Sequence, residues 1–83
     1  MQYKYRQSVA DELARHGVIP DTDTAPELIH EFLNELYLIE IRSLKRKLLA
    51  GEILKIDYAK RVEELRNRYP ILSLPVRLWI EEL

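Results

Sequence analysis

Residues 24–51 of the chain, TAPELIHEFLNELYLIEIRSLKRKLLAG, decide the fold. Thr24 is a candidate N-cap, Pro26 follows in the first turn, and Glu27 stands three residues after Thr24, as in a capping box. At the other end, basic residues crowd the last turns and Gly51 suits the left-handed position beyond a helix. These signals predict one long helix over about residues 25–50, roughly 39 Å long at 1.5 Å per residue.

The apolar residues of this helix form a wide arc that drifts along its length. At about 100° per residue, a second apolar group is turned by roughly a third of a circle from the first. The first group is Leu28, Ile29, Phe32, Leu33, Leu36 and Ile39, and the second is Tyr37, Ile41, Leu44 and Leu48. Short helices cover only part of such an arc, so we expect a homodimer, or another protein, to cover the rest.

Three shorter helices are predicted around the long one, because apolar residues recur there at three- and four-residue steps. Their expected positions are about residues 3–16, 56–69 and 74–82. The fold class is therefore all-α, a small four-helix domain organised on one long central helix. The whole chain, residues 1–83, is expected to be a single domain.

Local signals support the ends of the first and last of these helices. Gly17 ends the first helix, and Val18 is expected to pack back on Leu13 in a Schellman arrangement. Ser73 is a candidate cap for the last helix, with Pro75 in its first turn.

Composition excludes several classes of function. Of the 83 residues, 47% are hydrophobic and 33% are charged, which is typical of a folded helical protein. The formal net charge of -1 provides no global field that would attract nucleic acid or an acidic membrane. Without cysteine, the chain has no disulfide, no catalytic thiol and no thiolate metal ligand. No apolar run approaches the length of a membrane span and no signal peptide is evident, so we expect no membrane partner and a cytoplasmic location.

The sequence holds no convincing catalytic or metal-binding constellation. Glu27 and His30 have the Glu-x-x-His spacing of di-iron helical bundles, but only one copy exists and the chain has two histidines. The serines stand in no catalytic motif, and both glycines are helix terminators and not parts of a phosphate loop. We therefore expect no enzyme activity, no cofactor and no metal.

The expected function is that of a non-enzymatic protein-interaction or assembly module. Trp and Tyr are enriched at interface hot spots, and the tail adds Trp79 on an apolar stripe. The candidate interface residues are Tyr37, Ile41, Leu44, Trp79, Ile80 and Leu83.

Glu40 falls inside the apolar arc of the long helix and is the candidate buried polar residue. One interpretation is a carboxylate at the rim that is paired with an Arg or Lys, such as Arg66 or Arg77, or that reaches out to water. The other is a buried carboxylate that marks a site or specifies pairing at an oligomer interface.

Nucleic-acid binding is the alternative function, although nucleic acid is not the expected partner. Basic side chains cluster near the end of the long helix and again on the third helix, with Tyr58 and Tyr69 nearby, as in some nucleic-acid binders. The alternative patch consists of Arg42, Lys45, Arg46, Lys47, Arg61, Arg66 and Arg68. Interleaved glutamates weaken this interpretation, because binding depends on local neutralisation of phosphates.

The junction between the long and third helices resembles the short helical module called SHOCT. In that module a leucine-rich helix ends in glycine, an isoleucine follows, and an aromatic residue opens the next helix. The matching positions here are Leu48, Leu49, Gly51, Ile53 and Tyr58. Leu54 departs from the pattern, since it stands where the module has a helix-capping serine or threonine. The resemblance covers a minor part of the chain and implies a helix–glycine–helix hairpin.

Overall fold

Three α-helices and two short 3-10 turns form the computed structural model, which describes residues 2–81. The helices are α1 (Gln7–Arg15), α2 (Pro26–Leu49) and α3 (Lys55–Arg68), and the turns are Pro70–Ser73 and Val76–Leu78. The all-α class is confirmed, but the helix count of four is wrong. No helix of the described part of the chain is long and apolar enough to cross a lipid bilayer.

The long helix α2 is present, within a residue or two of its predicted ends, but its start differs from the prediction. Ala25 is the N-cap residue and makes no side-chain cap, while Pro26 occupies the first turn. The Thr24 hydroxyl accepts a hydrogen bond from the backbone N–H of Asp21 at 3.1 Å instead. Because that hydroxyl is used in the preceding turn, the predicted capping box does not form.

Both glycines end helices in the predicted left-handed conformation, each with φ of 75°. After α1, Gly17 N–H donates to the Ala14 carbonyl and Val18 N–H to the Leu13 carbonyl, both at 2.9 Å. This is the Schellman pattern, and Val18 packs against the core that contains Leu13. Gly51 repeats the same pattern after α2 through bonds to the carbonyls of residues 48 and 47.

The first helix is shorter than predicted because residues 4–6 are extended and pair with the tail. Tyr5 forms an antiparallel bridge with Ile80, which is the sole β-type pairing within residues 2–81. Arg6 N–H donates to the Trp79 carbonyl at 2.9 Å, and Glu81 N–H donates to the Lys4 carbonyl at 2.8 Å. These main-chain bonds hold residues 4–6, the first segment, in an extended conformation, so these residues are not part of α1.

The same pairing explains why the helix predicted over residues 74–82 is absent as far as residue 81. Pro75 interrupts the tail, the 3-10 turns replace α-helical turns, and the backbone at residues 79–81 bonds to the first segment. Ser73 is not a cap, since its hydroxyl donates to the Pro70 carbonyl at 2.7 Å. Residues 82 and 83, the last of the predicted helix stripe, lie outside the described residues.

The core lies at one end of this elongated molecule, which measures 51 × 19 × 17 Å. Its buried members come from α1, the first half of α2 and the tail: Val9, Leu13, Ile29, Leu33, Ile71 and Trp79. Trp79 is 0% exposed, and its indole N–H donates to the Leu74 carbonyl at 3.0 Å. We call this part, with α1, residues 26–37 and residues 69–81, the head.

The second half of α2 and the whole of α3 extend from the head as a helical hairpin, which we call the arm. The hairpin is antiparallel, since Tyr69 at the end of α3 contacts Glu40 and Tyr37 near the middle of α2. Leu65 is 1% exposed but does not belong to the core cluster of the head. It is the one fully buried residue of the arm among residues 2–81.

Candidate interaction surface

The side of α2 that does not pack against the core carries large apolar side chains that are exposed to solvent. Their exposed fractions are 62% for Leu28, 53% for Phe32, 53% for Ile39 and 77% for Leu49. Ile29 and Leu33, which neighbour the first two in sequence, are buried in the head. The helix therefore has two adjacent apolar faces, turned by about 100° from each other as for consecutive residues of a helix, and only the inner one is covered within residues 2–81.

Seven positions at alternating four- and three-residue steps define the outer face of α2. They are Leu28, Phe32, Glu35, Ile39, Arg42, Arg46 and Leu49. This alternation is the seam of a coiled coil, in which positions a and d face a partner helix. The outer face thus has the spacing that a second helix needs, with three charged residues among its seven positions.

Charge is divided along the same side of the helix. The first half presents Glu27, Glu31 and Glu35, all exposed. The second half presents exposed basic side chains, and a shallow depression of about 510 Å³ lies among Ile39, Arg42, Lys45, Arg46 and Leu49. The outer face is therefore acidic towards the head and basic towards the tip of the arm.

The interface residues expected from the sequence do not lie on this face. Tyr37, Ile41 and Leu44 are half-buried on the side of α2 that faces α3 or the head. Trp79 is enclosed in the core of a single chain, and Ile80 pairs with the first segment. Leu83 lies outside the described residues. The four-three spacing of the outer face was the sequence signal that could have identified it.

Glu40 is half-buried and accepts a hydrogen bond of 2.7 Å from the hydroxyl of Tyr69. It is not a fully buried polar residue, and within residues 2–81 it forms no ion pair with Arg66 or Arg77. Tyr69 stacks on the His16 ring with centroids 4.7 Å apart and meets the Tyr37 ring edge-on at 5.5 Å. These contacts join the end of α1, the middle of α2 and the end of α3 where the arm leaves the head.

The contacts of Tyr69 at this junction make the stability of the chain depend on pH in the alkaline range. Burial, the hydrogen bond to Glu40 and the charge of Glu40 raise the pKa of Tyr69 to about 12, against an opposing effect of Arg68. The folded chain thus holds this proton more tightly than the unfolded chain, whose tyrosines titrate near pH 10. The resulting stability is fully present below about pH 10 and is lost as pH rises towards about 12. Burial raises the pKa of Tyr5 to about 12 as well, and Glu27 and Tyr3 add to that effect.

We therefore expect the Tyr69→Phe chain to lose stability less steeply than the wild type between pH 10 and pH 12. At neutral pH the substitution should cost about 1 kcal/mol, since it removes one hydrogen bond. Urea unfolding at a series of pH values measures both effects. Tyr58→Phe is the matched control, because the Tyr58 hydroxyl makes no hydrogen bond in the described residues. Parallel pH profiles for Tyr69→Phe and the wild type would contradict the prediction.

The basic residues of the alternative nucleic-acid patch are exposed but do not share one surface. Arg42, Lys45 and Arg46 lie on or beside the outer face of α2. Lys47 lies with Arg61 and Arg68 in a groove between α2 and α3, which also contains two glutamates, Glu40 and Glu64. Tyr58 and Tyr69 are half-buried. The groove therefore mixes both signs of charge.

The Glu27 and His30 pair is split by the fold. Glu27 is exposed, whereas His30 is half-buried with its ring 5.7 Å from the Trp79 ring. No group of three histidine or acidic side chains that could hold a metal ion occurs in residues 2–81.

Comparisons with models of protein families, with curated proteins and with solved structures found no match to this chain. The resemblance to SHOCT is thus not accompanied by a family match. Among the surfaces of the described residues, the outer face of α2 is the one with a regular pattern, the alternation of four- and three-residue steps.

Proposed function

We propose that this chain is a non-enzymatic assembly module that forms a homodimer through the outer face of α2. The observation that carries the proposal is the line of four large apolar side chains, each more than half exposed, along one helix. Exposed apolar side chains at four- and three-residue steps, interspersed with charged ones, are typical of a helix face that packs on a second helix. The lack of cysteine fits a reducing compartment, so the cytoplasm is the proposed location.

Self-association also suits the size of the chain. Eighty-three residues with no disulfide give a small core, and the buried cluster here occupies only the head. Domains of this size commonly gain stability by oligomerisation. A second copy on the outer face would cover the arm along its α2 side. Within residues 2–81, Leu65 of α3 is the one residue of the arm that is fully buried in the single chain.

Sedimentation equilibrium at micromolar concentration tests the proposal. We expect a dimer for the wild type and weaker association, by about 2 kcal/mol or more, for Phe32→Ser combined with Ile39→Ser. Both residues are exposed in the single chain, so circular dichroism should show unchanged helix content. The matched control is Leu54→Ser with Ile56→Ser, two exposed apolar residues at the tip of the arm.

Two outcomes would overturn the proposal. One is a wild-type chain that stays monomeric at high concentration. The other is tight, salt-sensitive binding to duplex or single-stranded nucleic acid that Lys45→Glu with Arg46→Glu abolishes, which would favour the nucleic-acid alternative. We expect no such binding at physiological salt, because glutamates alternate with the basic residues in the groove between α2 and α3.

A further inference from the structure

We infer that the two copies pair with their α2 helices antiparallel, crossing near Ile39, so that the acidic half of each outer face lies on the basic half of the other. The inference rests on the proposed function, since it requires a second copy on the outer face. It adds the orientation of that copy and the residues that select it.

The first argument is the division of charge. On this side of α2, the acidic residues precede Ile39 and the basic residues follow it: Glu27, Glu31, Glu35, Arg42, Lys45 and Arg46. All six are exposed. The ion pairs found within residues 2–81 are Lys4 with Glu81 and Glu12 with Arg15, so none of the six is neutralised inside the described chain. A surface with opposite charges at its two ends complements a copy of itself only when that copy is reversed.

The second argument concerns the three charged residues that occupy seam positions. In a parallel, in-register pair, Glu35 would face Glu35, Arg42 would face Arg42, and Arg46 would face Arg46. Like charges at the centre of a helical interface are strongly unfavourable, because partial burial raises their repulsion. Such residues at a or d positions specify register and orientation in coiled coils.

Reversing one helix about Ile39 removes every one of these conflicts. Positions equally distant from Ile39 on either side then face each other, so Glu35 lies close to Arg42. Phe32 lies against Arg46, whose guanidinium can stack on the ring. Leu28 lies close to Leu49, and Ile39 packs on its own copy at the two-fold axis. Each contact between different residues occurs twice and the Ile39 self-contact occurs once, as an isologous interface requires.

Charge reversal first tests whether these charged residues lie in the dimer interface. Glu31→Lys with Glu35→Lys leaves Glu27 as the one acidic residue among these six, and Arg42→Glu with Arg46→Glu leaves Lys45 as the one basic residue. Each double variant alone should dimerise at least about 100-fold more weakly than the wild type, and an equimolar mixture of the two should recover a dimer.

The chain with all four substitutions has its charges exchanged between the two halves at every one of the six positions except Glu27 and Lys45. In the antiparallel arrangement this chain should form homodimers with the same affinity as the wild type. It should not form mixed dimers with the wild type. A parallel arrangement predicts the reverse, a mixed dimer and weak self-association. Native mass spectrometry of tagged and untagged chains reports which dimers form.

Disulfide trapping gives an independent measurement, since the chain has no cysteine of its own. A mixture of Leu28→Cys and Leu49→Cys chains should cross-link to each other on mild oxidation, and neither should cross-link to itself. Self-cross-linking of Leu28→Cys, or a dimer of the four-substitution chain with the wild type, would overturn the antiparallel arrangement while leaving the proposed dimer in place. A wild-type monomer would overturn both.

Discussion

Trp79→Ala is expected to lower the free energy of unfolding by about 3 to 5 kcal/mol. The indole is 0% exposed, joins α1, α2 and the tail in one cluster, and donates a hydrogen bond to the Leu74 carbonyl. Its removal leaves a cavity in the core of the head and the Leu74 carbonyl without its indole donor. In a domain whose total stability is of the order of 5 to 15 kcal/mol, such a loss approaches unfolding at physiological temperature.

Denaturant unfolding followed by circular dichroism measures this loss. Leu78→Ala is the matched control, because the neighbouring Leu78 is 37% exposed and its truncation should cost well under the Trp79 value. If Trp79→Ala unfolded at nearly the wild-type denaturant concentration but failed to dimerise, the ring would act at an interface and not in the core. A fluorescence maximum typical of water-exposed indole in the folded wild type would also contradict the core assignment.

Leu65→Ala should lower the free energy of unfolding of the arm by about 2 to 5 kcal/mol, and its effect should be local. Leu65 is the fully buried residue of the arm in residues 2–81 and is separate from the core of the head. Removing it takes away the central apolar contact between α3 and the second half of α2. We therefore expect α3 to open while the head remains folded.

Amide hydrogen exchange resolves such local opening. Protection should collapse in α3 and persist at Leu13 and Leu33, which are 0% exposed in the head. Leu54→Ala, a truncation of the same residue type at an exposed position just before α3, should leave the exchange pattern unchanged. Uniform loss of protection across head and arm would show that the two parts unfold as one unit.

The regular parts of this fold could be predicted from the sequence because their causes are local. The long helix follows from an uninterrupted run between Pro26 and Gly51, and the ends at Gly17 and Gly51 follow from the freedom of glycine at positive φ. Helix α3 differs from its prediction by one residue at each end, Lys55–Arg68 against 56–69. These signals require no knowledge of the rest of the chain.

The tail and the first segment could not be predicted in this way, because each depends on the other. Val76, Trp79 and Ile80 have helical spacing, yet main-chain bonds between residues 4–6 and 79–81 pair the tail with the first segment. Likewise, periodicity showed that α2 is apolar on many sides but not which side the head would cover. Tyr69 was not predicted as the partner of Glu40, since the sequence interpretation paired this carboxylate with a basic residue at the rim of the apolar arc.

The pairing of the two distant segments also bears on how fast the chain can fold. The arm is a hairpin of neighbouring helices joined by five residues, so its contacts close a short loop. The head is complete only when Tyr5 meets Ile80, across nearly the whole described length of the chain. Loop-closure entropy grows with separation along the chain, and folding slows as contacts become less local. The arm is thus expected to be kinetically early and the closing of the head to limit the rate.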